Sequence, residues 1–294
     1  MFKSTIGFLG WLKLFISILS NRGKTTYGKE NVTYLITKYI YENTLLLKNY
    51  EDAEAFVGEL IEVCVPTQNW QVQRIGKNSD SGYFMPRNFE FEFVISGGIG
   101  KNNDFEYWYA QQGARVVAVD PTVEALPSPH RNIEHLKLWI SSHTSARQKT
   151  INLENLIEMK QNAHKMLLKL DIEGGEYEAL ESGRHYLAQF DVIVIEFHEM
   201  FKLGDNCFRL RLDNILSAIR KNFVSLSFSS NNWKNFIQFG SAFTPETFEV
   251  VFINNRCVPL LELATESLDL RDYRNNPRRL PIPNEPFYFP SRPK

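Results

Sequence analysis

Residues Leu167–Leu180 read LLKLDIEGGEYEAL and place a strand, a turn and a helix one after another. The apolar start is typical of a buried strand, and the two glycines after it mark a turn. Asp171 and Glu173 lie in that turn, and the ends of parallel strands line the ligand-binding cleft of α/β proteins. Glu176 and Glu178 follow at a helix N-terminus, where carboxylates stabilise the helix dipole. The stretch therefore predicts an α/β fold with Asp171 and Glu173 at its cleft.

Short apolar runs alternate with helical stretches on both sides of these residues. Strands are predicted at residues 91–96, 115–120, 133–140, 166–171, 191–197, 223–228 and 248–254. Helices are predicted at residues 29–62, 104–112, 153–165, 177–188 and 210–221. Residues 63–90 carry turn signals. Strands that alternate with helices are joined by right-handed crossovers, so we expect a Rossmann-like, mostly parallel seven-stranded sheet with helices on both faces.

A glycine turn and an aspartate mark the ends of the first two predicted strands. The turn is Ser96–Gly100, and glycines there let a ligand approach backbone N–H groups. Asn103 stands where the dinucleotide pattern G-x-G-x-x-G has its last glycine. Asp120 ends the next strand, where a carboxylate can bind the two hydroxyls of a ribose, although Asp-Pro is also a turn signal. Together these features predict a nucleoside-containing cofactor, either NAD or S-adenosylmethionine.

Composition excludes several classes of protein. Hydrophobic residues make up 43% and charged residues 23% of the 294 residues, which excludes collagen-like, disordered and wholly membrane-embedded chains. The net charge of −1 gives no large positive field, so we expect no nucleic-acid partner. The three cysteines are widely spaced and predict neither a disulfide framework nor a zinc site. A reducing compartment, the cytoplasm, is the simpler expectation.

The two ends of the chain differ from its middle. Residues 1–23 are apolar but interrupted by Lys13. They form either a helix that packs on protein, an amphipathic helix that contacts a membrane surface through residues 1–20, or a cleaved or spanning signal. Residues 24–69 are predicted to be a helical extension, residues 70–260 the Rossmann-like domain, and residues 261–294 a Pro-rich tail that is either disordered or docked.

Four stretches of the chain match a family pattern, in which h is an apolar residue. They are Leu168–Glu176 (L-K-h-D-h-E-G-x-E), Ser96–Glu106 (S-x-G-x-G-x-x-x-x-F-E), Ile193–His198 (ending in I-E-h-H) and Arg74–Tyr83 (R-x-G…D-G-G-Y, with Ser81 in place of a glycine). Over about residues 70–255 the sequence thus resembles the FkbM family of S-adenosylmethionine-dependent methyltransferases. The resemblance implies the class I methyltransferase form of the fold and S-adenosylmethionine as cofactor.

The resemblance also implies which residues bind the cofactor. The glycine turn would hold its methionine end, Asp120 its ribose, and Trp139–Ser142 would flank the adenine. The predicted cofactor-binding residues are Ser96, Gly97, Gly98, Gly100, Asp104, Asp120, Pro121, Thr122, Ser141, Asp171 and Glu173. Many class I methyltransferases place an acid at the end of the first strand, where this chain has Ser96, and Asp104 could take the place of that acid.

Methyl transfer to a hydroxyl requires a group that removes its proton. His198 is the predicted base because an unperturbed pKa of ~6.5 suits work near neutrality. Asp171 is the alternate base, and Glu196 would orient His198 or bind a substrate hydroxyl. The competing interpretation is a strand-end histidine that only bonds to backbone. We predict no metal; an ion bridging these three residues is an alternative, since oxygen and imidazole ligands suit divalent ions, but their sequence spacing does not establish it.

The predicted function is O-methylation of a hydroxyl on a sugar, a glycan or a lipid-linked glycan. The amides and the indole of Asn231, Asn232, Trp233 and Asn235 form either a sugar platform or a plain polar turn. The alternative function is a catalytically inactive, methyltransferase-like module that binds glycans or serves as a scaffold. An NAD-dependent dehydrogenase is disfavoured because the chain lacks the full dinucleotide pattern.

Overall fold

A computed structural model describes residues 50–77, 82–231 and 236–265 of the chain. The expectations for residues 1–23, for the helix before residue 50 and for most of the Pro-rich tail lie outside these residues. Within the described residues, no helix is both long and apolar enough to cross a membrane.

Strands and helices alternate along the described residues. The strands are β1 Val72–Ile75, β2 Tyr83–Pro86, β3 Phe93–Gly97, β4 Arg115–Val119, β5 Ile133–Leu136, β6 Trp139–Ile140, β7 Thr150–Ile151, β8 Met166–Leu170, β9 Val192–Phe197, β10 Phe223–Ser230, β11 Phe236–Phe239, β12 Ala242–Pro245 and β13 Phe248–Asn254. The α-helices are α1 Tyr50–Cys64, α2 Asp104–Gln111, α3 Leu153–Glu158, α4 Glu176–Gly183 and α5 Asn206–Asn222. Short 3₁₀ helices span Leu187–Gln189, Met200–Gly204 and Asn255–Leu260.

The central sheet has seven strands in the order β10-β13-β9-β8-β3-β4-β5. The pairs among β5, β4, β3, β8 and β9 are parallel, whereas β13 is antiparallel to both β9 and β10. The sheet is therefore mixed, although six of its seven strands run in one direction, as the predicted mostly parallel sheet requires. Apart from one strand, the sheet has the doubly wound strand order 3-2-1-4-5-6. The exception is the antiparallel strand β13, which is inserted between the fifth and sixth positions, β9 and β10.

Both faces of this sheet are covered, which explains the near-continuous apolar strands. All five residues of β8 are buried. Leu168 and Leu170 pack into the core on the side of α1, α4 and α5, whereas Leu167 packs into the core on the side of α2 and the β1–β2 hairpin. Because side chains alternate between faces, Lys169 shares the face of Leu167, and Asp171 directly after β8 continues that face.

The structure departs from the prediction in several short elements. The hairpins β1–β2 and β11–β12 were not predicted, because four-residue strands beside turn signals show little periodicity. The third strand ends at Leu136, and Trp139–Ile140 pairs instead with Thr150–Ile151. The helix predicted at 153–165 ends at Glu158, and Gln161 soon after has a left-handed φ of 54° that no helix can continue through.

Asp191 joins three chain segments at the amino end of β9. Its Oδ2 accepts a hydrogen bond from the backbone N of Met166 at 2.7 Å, and its Oδ1 accepts one from Nη2 of Arg256 at 2.9 Å. Its backbone oxygen accepts a hydrogen bond from the N of Asn254 at 2.8 Å. The Asp191 side chain is buried, so these bonds are protected from water. Through its carboxylate and its backbone oxygen, Asp191 therefore joins β8, β9 and the end of β13 at the edge of the sheet where β9 begins.

We predict that Asp191→Asn lowers the free energy of unfolding by about 2–4 kcal/mol, because the new amide cannot accept at both positions. The melting temperature would fall by roughly 5–10 °C. The matched control is Glu134→Gln, which breaks the exposed Glu134–Arg115 ion pair at 3.0 Å. That change should cost less than about 1 kcal/mol. Equal losses in the two variants by calorimetry would contradict the assignment of Asp191.

Candidate active site

The carboxyl ends of β3, β4, β8 and β9 meet at one edge of the sheet, because neighbouring pairs of these strands are parallel. Gly97 ends β3, while Asp120 and Asp171 directly follow β4 and β8, and His198 follows β9. Ligands of open α/β sheets bind at this edge. The fold therefore brings most of the predicted site residues to one place.

The glycine turn after β3 is packed closely against the end of β8. Gly98 has a left-handed φ of +79°, and a Cβ on it would lie 1.7 Å from the carbonyl oxygen of Asp171. Only glycine fits there, because any side chain would overlap that backbone. Gly100 also has a positive φ of +59°, but a Cβ on it would meet no atom of the described residues within 4 Å. One side of the turn is thus fixed and the other is open to a ligand.

Asp120 holds this turn in place. Its Oδ2 accepts hydrogen bonds from the backbone N of Ile99 at 2.9 Å and of Gly100 at 3.0 Å. Its Oδ1 accepts two more from Thr122, from the backbone N at 2.8 Å and from the hydroxyl at 2.6 Å. Burial alone would raise the pKa of Asp120, but these hydrogen bonds, led by that of the Thr122 hydroxyl, hold the pKa below its usual value. The carboxylate therefore stays ionised and shapes the turn.

Glu106 is the acid buried beside the end of β3. The hydroxyl of Ser96 donates to its Oε1, and Nζ of Lys169 lies 3.8 Å from the same oxygen. Asp104, which was expected to replace the missing acid, instead pairs with Lys77 at 2.9 Å in a partly exposed position. The geometry favours Glu106 over Asp104. Glu106 is the last residue of the S-x-G-x-G-x-x-x-x-F-E pattern, and its place in that pattern was the sequence feature that could have identified it.

Lys169 is the buried cation of the site. Its Nζ donates to the backbone oxygen of Gly98 and lies 3.9 Å from Oδ2 of Asp171. The hydroxyl of Tyr83 donates to the same Oδ2 at 2.8 Å. Burial would raise the pKa of Asp171, but the charge of Lys169, then that of His198, and hydrogen bonding hold it below its usual value. Sequence analysis missed Lys169 and Tyr83 as site residues, although both stand in the quoted motifs.

Glu196 is a buried carboxyl at the end of β9. Its Oε1 accepts a hydrogen bond from Nδ2 of Asn231 at 2.6 Å. Burial raises the pKa of Glu196 well above its usual value, and the nearby Asp171 carboxylate adds to the effect. Asn231 thus belongs to the site through Glu196, while residues 232–235 of the expected sugar platform lie outside the described residues.

His198 is held from behind by Glu176. The backbone N of His198 donates to Oε1 of Glu176 at 2.9 Å, and Nδ1 lies 3.2 Å from the same oxygen. Burial alone would lower the pKa of His198, but the charges of Glu176 and Glu196 outweigh it and raise the pKa well above its usual value. The premise of an unperturbed histidine therefore does not hold, because its neighbours shift the pKa upward. Whether His198 acts in catalysis stays a prediction.

The acids of the α4 turn do more than stabilise a helix dipole. Glu176 is completely buried and also accepts from the backbone N of Gly174 at 2.9 Å. Glu178 accepts hydrogen bonds from the hydroxyls of Ser141, at 2.9 Å, and Ser142. Ser141, expected near the adenine, is therefore bonded to α4.

Glu173 has a left-handed φ of 52° and an exposed side chain whose Oε2 lies 3.6 Å from Nε2 of His198.

The structure thus brings together the three predicted catalytic side chains. One oxygen each of Asp171 and Glu196 and one ring nitrogen of His198 lie within 4.8 Å of one another. The sequence model of the methyltransferase FkbM domain matches residues 25–222, which is more than half of the chain. The chain belongs to the FkbM methyltransferase family. This FkbM chain has no match among curated proteins.

Two solved structures have a weak likeness to the FkbM chain. One is a putative hemolysin from Streptococcus thermophilus, with 13% identity and a TM-score of 0.33 over 57% of this chain and 61% of the other. The other is a putative DNA modification methyltransferase encoded within a prophage of E. coli, with 10% identity and a TM-score of 0.36 over 61% of this chain and 53% of the other. The chain thus spans less than two thirds of either protein.

We predict that Lys169→Met destabilises the fold by about 3–5 kcal/mol, because Glu106 and Asp171 are left without their buried cation. Adding Glu106→Gln should restore at least about 1 kcal/mol, since one of the two uncompensated charges is removed. The control Lys77→Met removes an exposed cation and should cost less than about 1 kcal/mol. Urea unfolding measures the wild type, the single variants Lys169→Met, Glu106→Gln and Lys77→Met, and the double variant. Strictly additive losses at positions 169 and 106 would show that the pair is not coupled.

Proposed function

We propose that this FkbM chain is an S-adenosylmethionine-dependent methyltransferase that methylates a hydroxyl group. The observation that carries the proposal is the open glycine turn, which Asp120 holds at the same sheet edge as the cluster of Asp171, Glu196 and His198. An anchored turn suits a cofactor, and the adjacent polar group suits an acceptor hydroxyl. The family match supports methyl transfer.

The residues around the turn fit a charged nucleoside cofactor. The side of Gly100 is open, and the Asp120 carboxylate can bind ribose hydroxyls if Thr122 turns its hydroxyl away from Oδ1. The buried carboxylate of Glu106 and the ammonium of Lys169 offer both signs of charge for the zwitterionic methionine end. When bound, S-adenosylmethionine supplies a methyl group on a positively charged sulfur, and this methyl passes to the acceptor oxygen as the carbon–sulfur bond breaks.

The chain itself would orient the acceptor and receive its proton. Asp171 and Glu196 carry carboxyl oxygens at adjacent strand ends, where they can accept hydrogen bonds from a hydroxyl. Tyr83 and Asn231 fix these two carboxyls, so little reorganisation is needed when the substrate binds. As the carbon–oxygen bond forms, the hydroxyl proton would pass to this group.

The acceptor class that we propose is a sugar or glycan hydroxyl, free or linked to a lipid. Several carboxyl and amide groups at one strand edge can bind neighbouring hydroxyls of one sugar ring. Asn231, which donates to Glu196, supports this choice because its amide belongs to the polar segment after β10. The family resemblance points to the same class of substrate.

The first test of the proposal is cofactor binding by the full-length protein. We predict that Asp120→Asn weakens binding of S-adenosylmethionine and S-adenosylhomocysteine at least about tenfold, because an amide cannot hold the turn and the ribose as a carboxylate does. The matched control is Glu59→Gln, an exposed carboxylate on α1 that should leave affinity unchanged. Calorimetry measures both. Failure of the folded wild-type protein to bind either compound at millimolar concentration would overturn the cofactor assignment.

The second test is methyl transfer from labelled S-adenosylmethionine to a panel of sugars, glycans and glycolipids. We predict that Glu196→Gln lowers kcat about 100-fold or more while cofactor affinity changes less than threefold, because Glu196 lies on the acceptor side of the site. Cofactor binding without turnover on any acceptor would instead support the inactive, glycan-binding module.

A further inference from the structure

The side chains of Asp171, Glu196 and His198 have the geometry of a metal site. Nε2 of His198 lies 4.0 Å from Oδ1 of Asp171 and 3.9 Å from Oε2 of Glu196. These separations are too long for hydrogen bonds. They are close to the span of about 3–4 Å between two ligands that each lie about 2.0–2.2 Å from one ion. The three groups therefore surround a point that an ion can occupy.

The histidine turns Nε2, the ring nitrogen that Glu176 does not contact, toward that point. Because the Glu176 carboxylate only accepts hydrogen bonds, the contact at 3.2 Å places the proton on Nδ1 and turns Nε2 toward Asp171 and Glu196. His198 is only 5% exposed, and among the described residues Nε2 makes no hydrogen bond. A carboxylate behind a histidine is the usual outer support of a metal-bound imidazole.

The surroundings also favour a cation. On this face of the sheet, Glu106, Glu196 and Glu249 are buried and Asp171 is partly buried. The basic side chains near them among the described residues are Lys169 and His198. Thr247 directly precedes Phe248, which pairs with Phe197, the residue before His198. The buried hydroxyl of Thr247 has no hydrogen-bond partner among the described residues. A water molecule on an ion could accept from that hydroxyl.

We propose that Asp171, Glu196 and His198 bind one divalent first-row transition-metal ion, with Glu176 as a positioning residue. One imidazole and two carboxylates suit Mn²⁺, Fe²⁺ or Zn²⁺ better than Mg²⁺ or Ca²⁺, which prefer oxygen ligands alone. Three protein ligands leave coordination positions for a substrate oxygen. The role of the ion rests on the proposed function: it would hold the acceptor hydroxyl and make it more acidic.

Metal binding is tested on the full-length protein after removal of metals with a chelator. MnCl₂ is added, and the electron paramagnetic resonance signal of free Mn²⁺ gives the bound fraction. We expect a single tight Mn²⁺ site per chain, weakened at least about tenfold in Glu196→Gln, which keeps the side-chain shape. The matched control is Glu59→Gln, the same change at an exposed carboxylate on α1 that is not one of the three ligands. Its Mn²⁺ affinity should change less than threefold.

A second measurement keeps the test independent of folding and of activity. Mn²⁺ or Zn²⁺ should raise the melting temperature of the wild-type protein and of Glu59→Gln, but not that of Glu196→Gln. No binding of either ion to folded wild-type protein, or equal loss in both variants, would overturn the metal site. Calorimetry with S-adenosylmethionine on the metal-free protein separates the two proposals. Cofactor binding without metal binding would overturn only the metal site. Metal binding without cofactor binding would overturn only the proposed function.

Discussion

The burial of carboxyl groups at the carboxyl edge of the sheet constrains the rest of this structure. A buried carboxylate is costly unless a cation or hydrogen-bond donors compensate it. Lys169 compensates Glu106 and Asp171, and Tyr83 adds a hydrogen bond to Asp171. Because Lys169 also donates to the backbone of Gly98, the same cation ties the glycine turn to β8. The same side chain therefore balances the buried charges and shapes the proposed cofactor site.

A second set of carboxylates acts through backbone N–H groups. Asp120 binds the amides of the glycine turn, and Glu176 binds the amides of Gly174 and His198. Backbone donors satisfy a carboxylate without requiring another charge. These acids consequently fix two loops at the strand ends, next to the cluster of Asp171, Glu196 and His198. The pKa of Asp171 is lowered and that of Glu196 raised within this small group, a pattern common at sites of proton transfer.

Much of this arrangement could be predicted, because strands buried on both faces leave a clear apolar signal. The strands that carry the site, β3, β4, β8 and β9, were predicted to within two residues at each end. The hairpin β1–β2 was missed, and with it the position of Tyr83, since four residues next to a turn give no usable period. Sequence analysis also did not single out Glu106, because which face of α2 is buried depends on the sheet beneath it, and Glu106 lies on that face.

The sequence by itself determined the alternation of strands and helices, the glycine turn and the acids at the strand ends, because hydrophobic period and turn chemistry are local properties. Only the tertiary structure decided which acids meet. Glu196 and Asp171 lie on different strands, and their closeness depends on the pairing of β8 with β9. The state of His198 was likewise beyond the sequence: its pKa depends on Glu176 and Glu196, and burial makes their charges act strongly over a few ångströms.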